Sequence, residues 1–76
     1  MKKLIVQIVI KNNEYGEFRG EKVQCTIEQY SNIMELSKGF YLSGFEMMLE
    51  NGSFLVLPPE IVRKSILLIE KEEIKD

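Results

Sequence analysis

The 76-residue sequence has no histidine and no tryptophan, one cysteine and two prolines. Without histidine it lacks the commonest general base and the commonest zinc ligand. Cys25 alone provides neither an intramolecular disulfide nor a thiolate cluster for a metal. As a nucleophile it would need a non-histidine base and nearby positive charge to lower its pKa, and the sequence points to neither. In the alternating run Val23, Cys25, Ile27 it reads as a small buried apolar residue, and an unpaired core thiol fits a reducing compartment. Long apolar runs are also missing, since no stretch approaches the ~18 residues of a membrane helix. Met1-Lys2-Lys3 followed by Leu4 to Ile10 imitates a secretion signal, but Gln7 interrupts it, Lys11 ends it and no small-residue cleavage site follows. We therefore expect a first strand there and a cytoplasmic location.

An excess of positive charge is absent too. The formal net charge is −2, with 10 Lys and Arg against 12 Asp and Glu, which argues against tight non-specific binding to nucleic acid. Arg63-Lys64 and Arg19 with Lys22 are the basic pairs, each among glutamates. The acidic run Glu70, Glu72, Glu73 reads as a solvated tail over residues 71–76 rather than as an acid–base pair. Gly16-Glu17-Phe18-Arg19-Gly20 matches neither a phosphate-binding loop nor a dinucleotide fingerprint. No enzyme, metal or cofactor is expected from this composition.

The 45% apolar and 29% charged shares belong to an ordinary globular chain, and its length leaves room for one core, over residues 1–70. Lys3 to Lys11 is apolar on both alternating sets, Leu4, Val6, Ile8 and Ile10 on one and Ile5 and Val9 on the other. That is the pattern of a strand covered on both faces, either central in a sheet or meeting another subunit. Asn12 to Gly16 and Gly20 supply turn chemistry on either side of the short Glu17-Phe18-Arg19, as in a loop or bulged hairpin. Lys22 to Ile27 alternates as a half-buried strand. The period then lengthens: Ile27, Tyr30, Ile33 and Met34 recur at helical spacing, Thr26-x-x-Gln29 has the form of a capping box, and a helix is predicted over 27–37, with Lys38 at its negative end and Gly39 as a left-handed cap. Asn51-Gly52 between the apolar run from Phe40 to Leu49 and Ser53 to Leu57 predicts a hairpin with a type I′ turn. Pro58 ends that strand, Pro59 starts one helical turn through Val62, and a last strand runs from Ser65 to about Glu70.

The segment Gly52 to Ile66 resembles the end of an SH3-like small barrel: a hairpin strand, a proline-started helical turn with two apolar residues, and a closing strand. Together with the pattern of strands and tight turns along the rest of the chain, the expected fold is α+β and β-rich, a small strongly bent sheet or SH3-like partly open barrel with one short helix in the order β-β-α-β-β-turn-β. There is no tryptophan and no acidic-aromatic run of the kind that forms the proline-peptide groove, so that ligand class does not carry over. In being short and rich in lysine and isoleucine, the chain also resembles small phage-encoded proteins of low-GC bacterial hosts.

What remains for function is binding. Tyr15, Phe18 and Arg19 place two aromatics and a guanidinium on a turn-rich segment, unless Phe18 packs inward. Tyr41 belongs to a second aromatic and methionine concentration, and Arg63 with Lys64 is a candidate receptor for phosphate or carboxylate. The expected function is a non-catalytic binding protein that inhibits a host protein or sequesters a small ligand such as a signalling nucleotide. The alternative is a small barrel that binds nucleic acid in regulation. A homo-oligomer is expected as well, with Ile5, Val9 and Met48 at the contact, because one helix covers only one face of a sheet.

Overall fold

The computed structural model describes residues 3–40 and 43–74. Along the chain lie β1 (Lys3–Asn12), β2 (Gly16–Arg19), β3 (Val23–Thr26), α1 (Ile27–Ser37), β4 (Phe45–Met48), β5 (Phe54–Leu57), α2 (Pro59–Val62) and β6 (Ser65–Glu73). β1 is central. β6 lies antiparallel along one edge from Leu4–Glu73 to Asn12–Ser65, while β2 and β3 share the other edge, through Val9–Arg19 and Val6–Val23 among other pairs. The expected α+β, β-rich architecture holds, as two bent sheets that do not close. It gains one strand, because Glu17-Phe18-Arg19 is drawn into the ladder as β2.

The bend has a local cause. Between the pairs Val9–Arg19 and Val6–Val23, β1 contributes Gln7 and Ile8 whereas the facing chain contributes Gly20, Glu21 and Lys22. One extra residue makes a β-bulge, which kinks and twists its strand. The β4–β5 hairpin joins at this corner: Gly20 bridges Leu49, Glu21 N–H donates to the Met48 carbonyl at 3.2 Å, and Glu50 N–H to the Arg19 carbonyl at 3.1 Å. A Cβ on Gly20 would lie 2.9 Å from Met47 Sδ and 3.3 Å from the Ile8 carbonyl oxygen, so only glycine lets the two sheets approach this closely without a shift.

The hairpin forms where Asn51-Gly52 predicts it, but with a different turn. Gly52 N–H donates to the Leu49 carbonyl at 2.9 Å, Leu49 N–H to the Ser53 carbonyl at 2.7 Å, and only Gly52 has positive φ, at 89°. That is a three-residue loop closed by a glycine bulge, in which Asn51 keeps negative φ and accepts from Ser53 N–H through Oδ1 at 2.9 Å. β4 starts at Phe45 rather than Phe40, whose ring is buried and meets Phe45 edge-on with centroids 5.1 Å apart.

α1 begins with the predicted box: Thr26 Oγ1 accepts from Gln29 N–H at 3.1 Å, and Gln29 Oε1 from Thr26 N–H at 2.9 Å. Its end differs from expectation, since Gly39 does not take positive φ and the last turn tightens through Lys38 N–H to the Glu35 carbonyl and Gly39 N–H to the Leu36 carbonyl. The acidic segment is no frayed tail up to position 74: Glu73 pairs with Leu4, and Ile74 N–H donates to the Lys3 carbonyl at 3.1 Å.

Leu4, Val6, Ile8 and Ile10 point to the inner face. Leu4, Val6 and the buried thiol Cys25 form one cluster with Tyr30 and Ile69 against it, and Ile10, Phe40, Leu57 and Val62 form the other. Ile10→Ala should cost about 2–5 kcal/mol, as large-to-small changes in packed cores do. Leu36→Ala, on a side chain left 81% exposed, should stay within about 0.5 kcal/mol. Urea unfolding of both variants checks this, and equal shifts of the midpoint would contradict the core assignment.

Candidate functional site: an open apolar face beside the helix

The inner face of β1 is not filled along its whole length. α1 lies over it as an amphipathic helix, yet none of its residues is buried. Tyr30 and Ile33 are half-buried, and Lys71 Nζ sits 5.0 Å from the centroid of the Tyr30 ring, which pins the first half of the helix by a cation–π contact. Ile27, Met34 and Leu36 remain exposed. A helix held at so few points leaves clefts beside it.

Two clefts adjoin Ile33. One, of about 320 Å³, lies between the C-terminal half of α1, Phe40, Phe45 and the β6 residues Leu67 and Ile69. The other, of about 260 Å³, lies between Val6, Val23, Met47 and Met48. Ile8 lines both. It is only half-buried although it stands mid-way along the central strand, at the edge of the cluster of Ile10, Phe40, Leu57 and Val62. The side chains around both clefts are mostly aliphatic or aromatic, and among the described residues no Lys or Arg lines either cleft. Such walls take apolar groups by desolvation and offer nothing to fix a phosphate.

The residues that the sequence points to are dispersed. Tyr15 is 59% exposed in the β1–β2 turn. Buried Asn12 holds that turn, its Oδ1 accepting from Glu14 and Tyr15 N–H at 2.8 and 3.1 Å. Asn12 Nδ2 also donates to Ser65 Oγ at 3.0 Å, and Ser65 Oγ to the Ile61 carbonyl at 2.7 Å. Arg63 and Lys64, both exposed, therefore share that end of the molecule with Tyr15. Phe18 turns to the inner face opposite Ile10 and is half-buried, which removes it from Tyr15. Tyr41 lies outside the described residues.

Arg19 is no open anion receptor. Its Nε donates to Glu17 Oε2 at 2.8 Å, and its Nη1 to Glu70 Oε1 at 3.0 Å and Gln7 Oε1 at 3.3 Å. The bonds to Glu70 and then Glu17 raise its pKa above the ordinary value of an arginine. Buried Gln7 links this group to the corner, donating through Nε2 to the Gly20 carbonyl at 2.9 Å and to Glu50 Oε2 at 3.0 Å. The network holds the bulge and the hairpin turn together; it is scaffold.

The three expected contact residues do not form one patch. Val9 is 0% exposed, with Arg19 and Leu68 as its cross-strand neighbours, so it cannot meet a partner; this corrects the expectation. Ile5 is half-buried on the outer face, and Met48 lines the cleft at Val23. Ile33 and Leu36 are the cleft residues that sequence reasoning passed over. The helical stripe of Ile27, Tyr30, Ile33 and Met34 was the available signal, but a stripe of that kind ordinarily becomes core.

No family model matches this chain, and no curated protein or solved structure matches it. Among the described residues no helix is long and apolar enough to cross a membrane, and no group of three His, Cys, Asp or Glu could hold a metal ion.

Replacing Gln7 by Leu keeps the volume but leaves the Gly20 carbonyl without its side-chain donor, and should cost about 1–3 kcal/mol. Tyr15→Ala should stay within about 0.5 kcal/mol. Denaturant midpoints at unchanged m-value would check both, and a neutral Gln7→Leu would contradict the scaffold role.

Proposed function

We propose that this chain is a non-catalytic binding protein whose partner is another protein, engaged through the apolar face that α1 leaves open. One observation carries the reading: a helix with no buried residue lies between two apolar clefts, with Leu36 81% exposed at the rim of one of them. A contiguous apolar surface of this kind on a small chain is the usual mark of a protein contact. Sequestration of a nucleotide has less support, because among the described residues no cation lines the clefts, Arg19 is neutralised by Glu17 and Glu70, and Arg63 and Lys64 stand by a turn instead. Nucleic-acid binding is disfavoured by the same charges and by the net charge of −2. The role most in keeping with a short, lysine- and isoleucine-rich chain is that of a phage or mobile-element factor that blocks a host protein in the cytoplasm.

A buried leucine contributes about 1.5–3 kcal/mol. Leu36→Glu should therefore weaken capture of the partner at least about tenfold while leaving the unfolding midpoint in place. Immobilised wild-type and Leu36→Glu chains would be compared for proteins retained from host lysate, with mass spectrometry of small molecules released on denaturation. A protein retained by the wild type and lost with Leu36→Glu supports the reading. Released nucleotide, or capture indifferent to Leu36, overturns it.

A further inference from the structure

The β4–β5 hairpin has one edge at the Gly20 corner and one edge free. Leu49 N–H donates to the Ser53 carbonyl, and in an antiparallel ladder the bonded pairs alternate, so Leu55 and Leu57 turn their amides and carbonyls toward β4. Phe54 and Val56 therefore direct N–H and C=O away from the hairpin, and among the described residues no backbone hydrogen bond from another element reaches them. Their side chains are 57% and 62% exposed, beside Met48, which pairs with Phe54.

Free edges are normally blunted by charge, proline or cover. β2 carries Glu17 and Arg19, β3 runs straight into α1, and β6, uncharged from Ser65 to Ile69, is charged from Glu70 to Glu73. Ser53 to Leu57 has no charge and no proline, and Pro58 then ends it. The chain is also too open for a compact monomer. It exposes 5647 Å², whereas its mass of 8.9 kDa leads to about 4,800 Å². Its radius of gyration is 12.9 Å against about 11 Å for that length.

We propose that two copies of this chain pair through β5, antiparallel about a two-fold axis at Leu55. In that register Phe54 of each copy faces Val56 of the other, both outward amides and both outward carbonyls on each strand are satisfied, and an aromatic side chain packs on a β-branched one across the strands. The two hairpins become one four-stranded sheet, which shares Met48 with the second cleft and leaves Ile33 and Leu36 of the proposed partner contact outside the pairing.

Sedimentation equilibrium of the full chain from about 1 to about 300 µM should give a dimer with a Kd below about 100 µM. Val56→Lys and Phe54→Lys should each return a monomer with an unchanged circular dichroism spectrum, while Ile66→Lys on β6 and Leu36→Glu on α1 leave the dimer intact. The Phe54 and Val56 amides should exchange more slowly as concentration rises. A monomeric wild type across the range would overturn the proposal, as would a dimer that survives both β5 lysines or dissociates with Ile66→Lys or Leu36→Glu.

Discussion

The structure depends on the pairing of β1 along both edges. β6 follows it from Leu4 to Asn12, and the chain from Gly16 to Thr26 follows its other side with one bulge. A small chain has little surface with which to offset the entropy of ordering its backbone, and a strand bonded on both sides satisfies its amides while burying side chains on both faces. Val9 on the outer face and Ile10 on the inner one are both fully buried for that reason. Gln7, the polar interruption in the apolar run, is buried as well, and it is tolerated because Arg19, Glu50 and the Gly20 carbonyl satisfy its amide.

From this strand the remaining elements are placed by a few joints. The bulge at Gly20 turns the sheet and receives the hairpin, while Asn12 and Ser65 tie the β1–β2 turn to the end of α2. α1 is placed differently. Its capping box and the contacts of Tyr30 hold its beginning, whereas its second half rests on Ile33 and otherwise faces solvent. The second half of the helix adds no buried residue to the core, and Ile8 and Phe45 are reachable from outside through the cleft beside it. Stability and the open apolar face thus reside in different parts of the molecule.

Local signals carried far in the sequence. The residues of the first strand, the helix from Ile27 to Ser37 with its Thr26–Gln29 box, and the turn from Pro59 to Val62 all follow from periodicity, capping and proline geometry, which act over a few residues. What the sequence left illegible depends on partners distant in the chain. Glu17-Phe18-Arg19 is too short and too charged to read as a strand, and it becomes one because β1 offers it an edge. The segment from Lys71 to Glu73 reads as a tail and is held by Leu4 to Val6. Arg19 reads as a guanidinium on a turn-rich segment among nearby glutamates, and Glu70, far along the chain, arrives beside it only through the β1–β6 register. The apolar stripe of α1 has core spacing, yet Ile27 and Met34 stay exposed and Tyr30 and Ile33 are half-buried, which no pattern inside the helix encodes.

Native-state hydrogen exchange tests this division most directly. The amides of Val6 to Ile10 should exchange only through global unfolding, with the highest protection in the chain, and those of the second half of α1 through local opening at a free energy on the order of 2 kcal/mol or more below it. The same protection in α1 as in β1 would contradict the account, because the helix would then belong to the core and the face beside it would not be open.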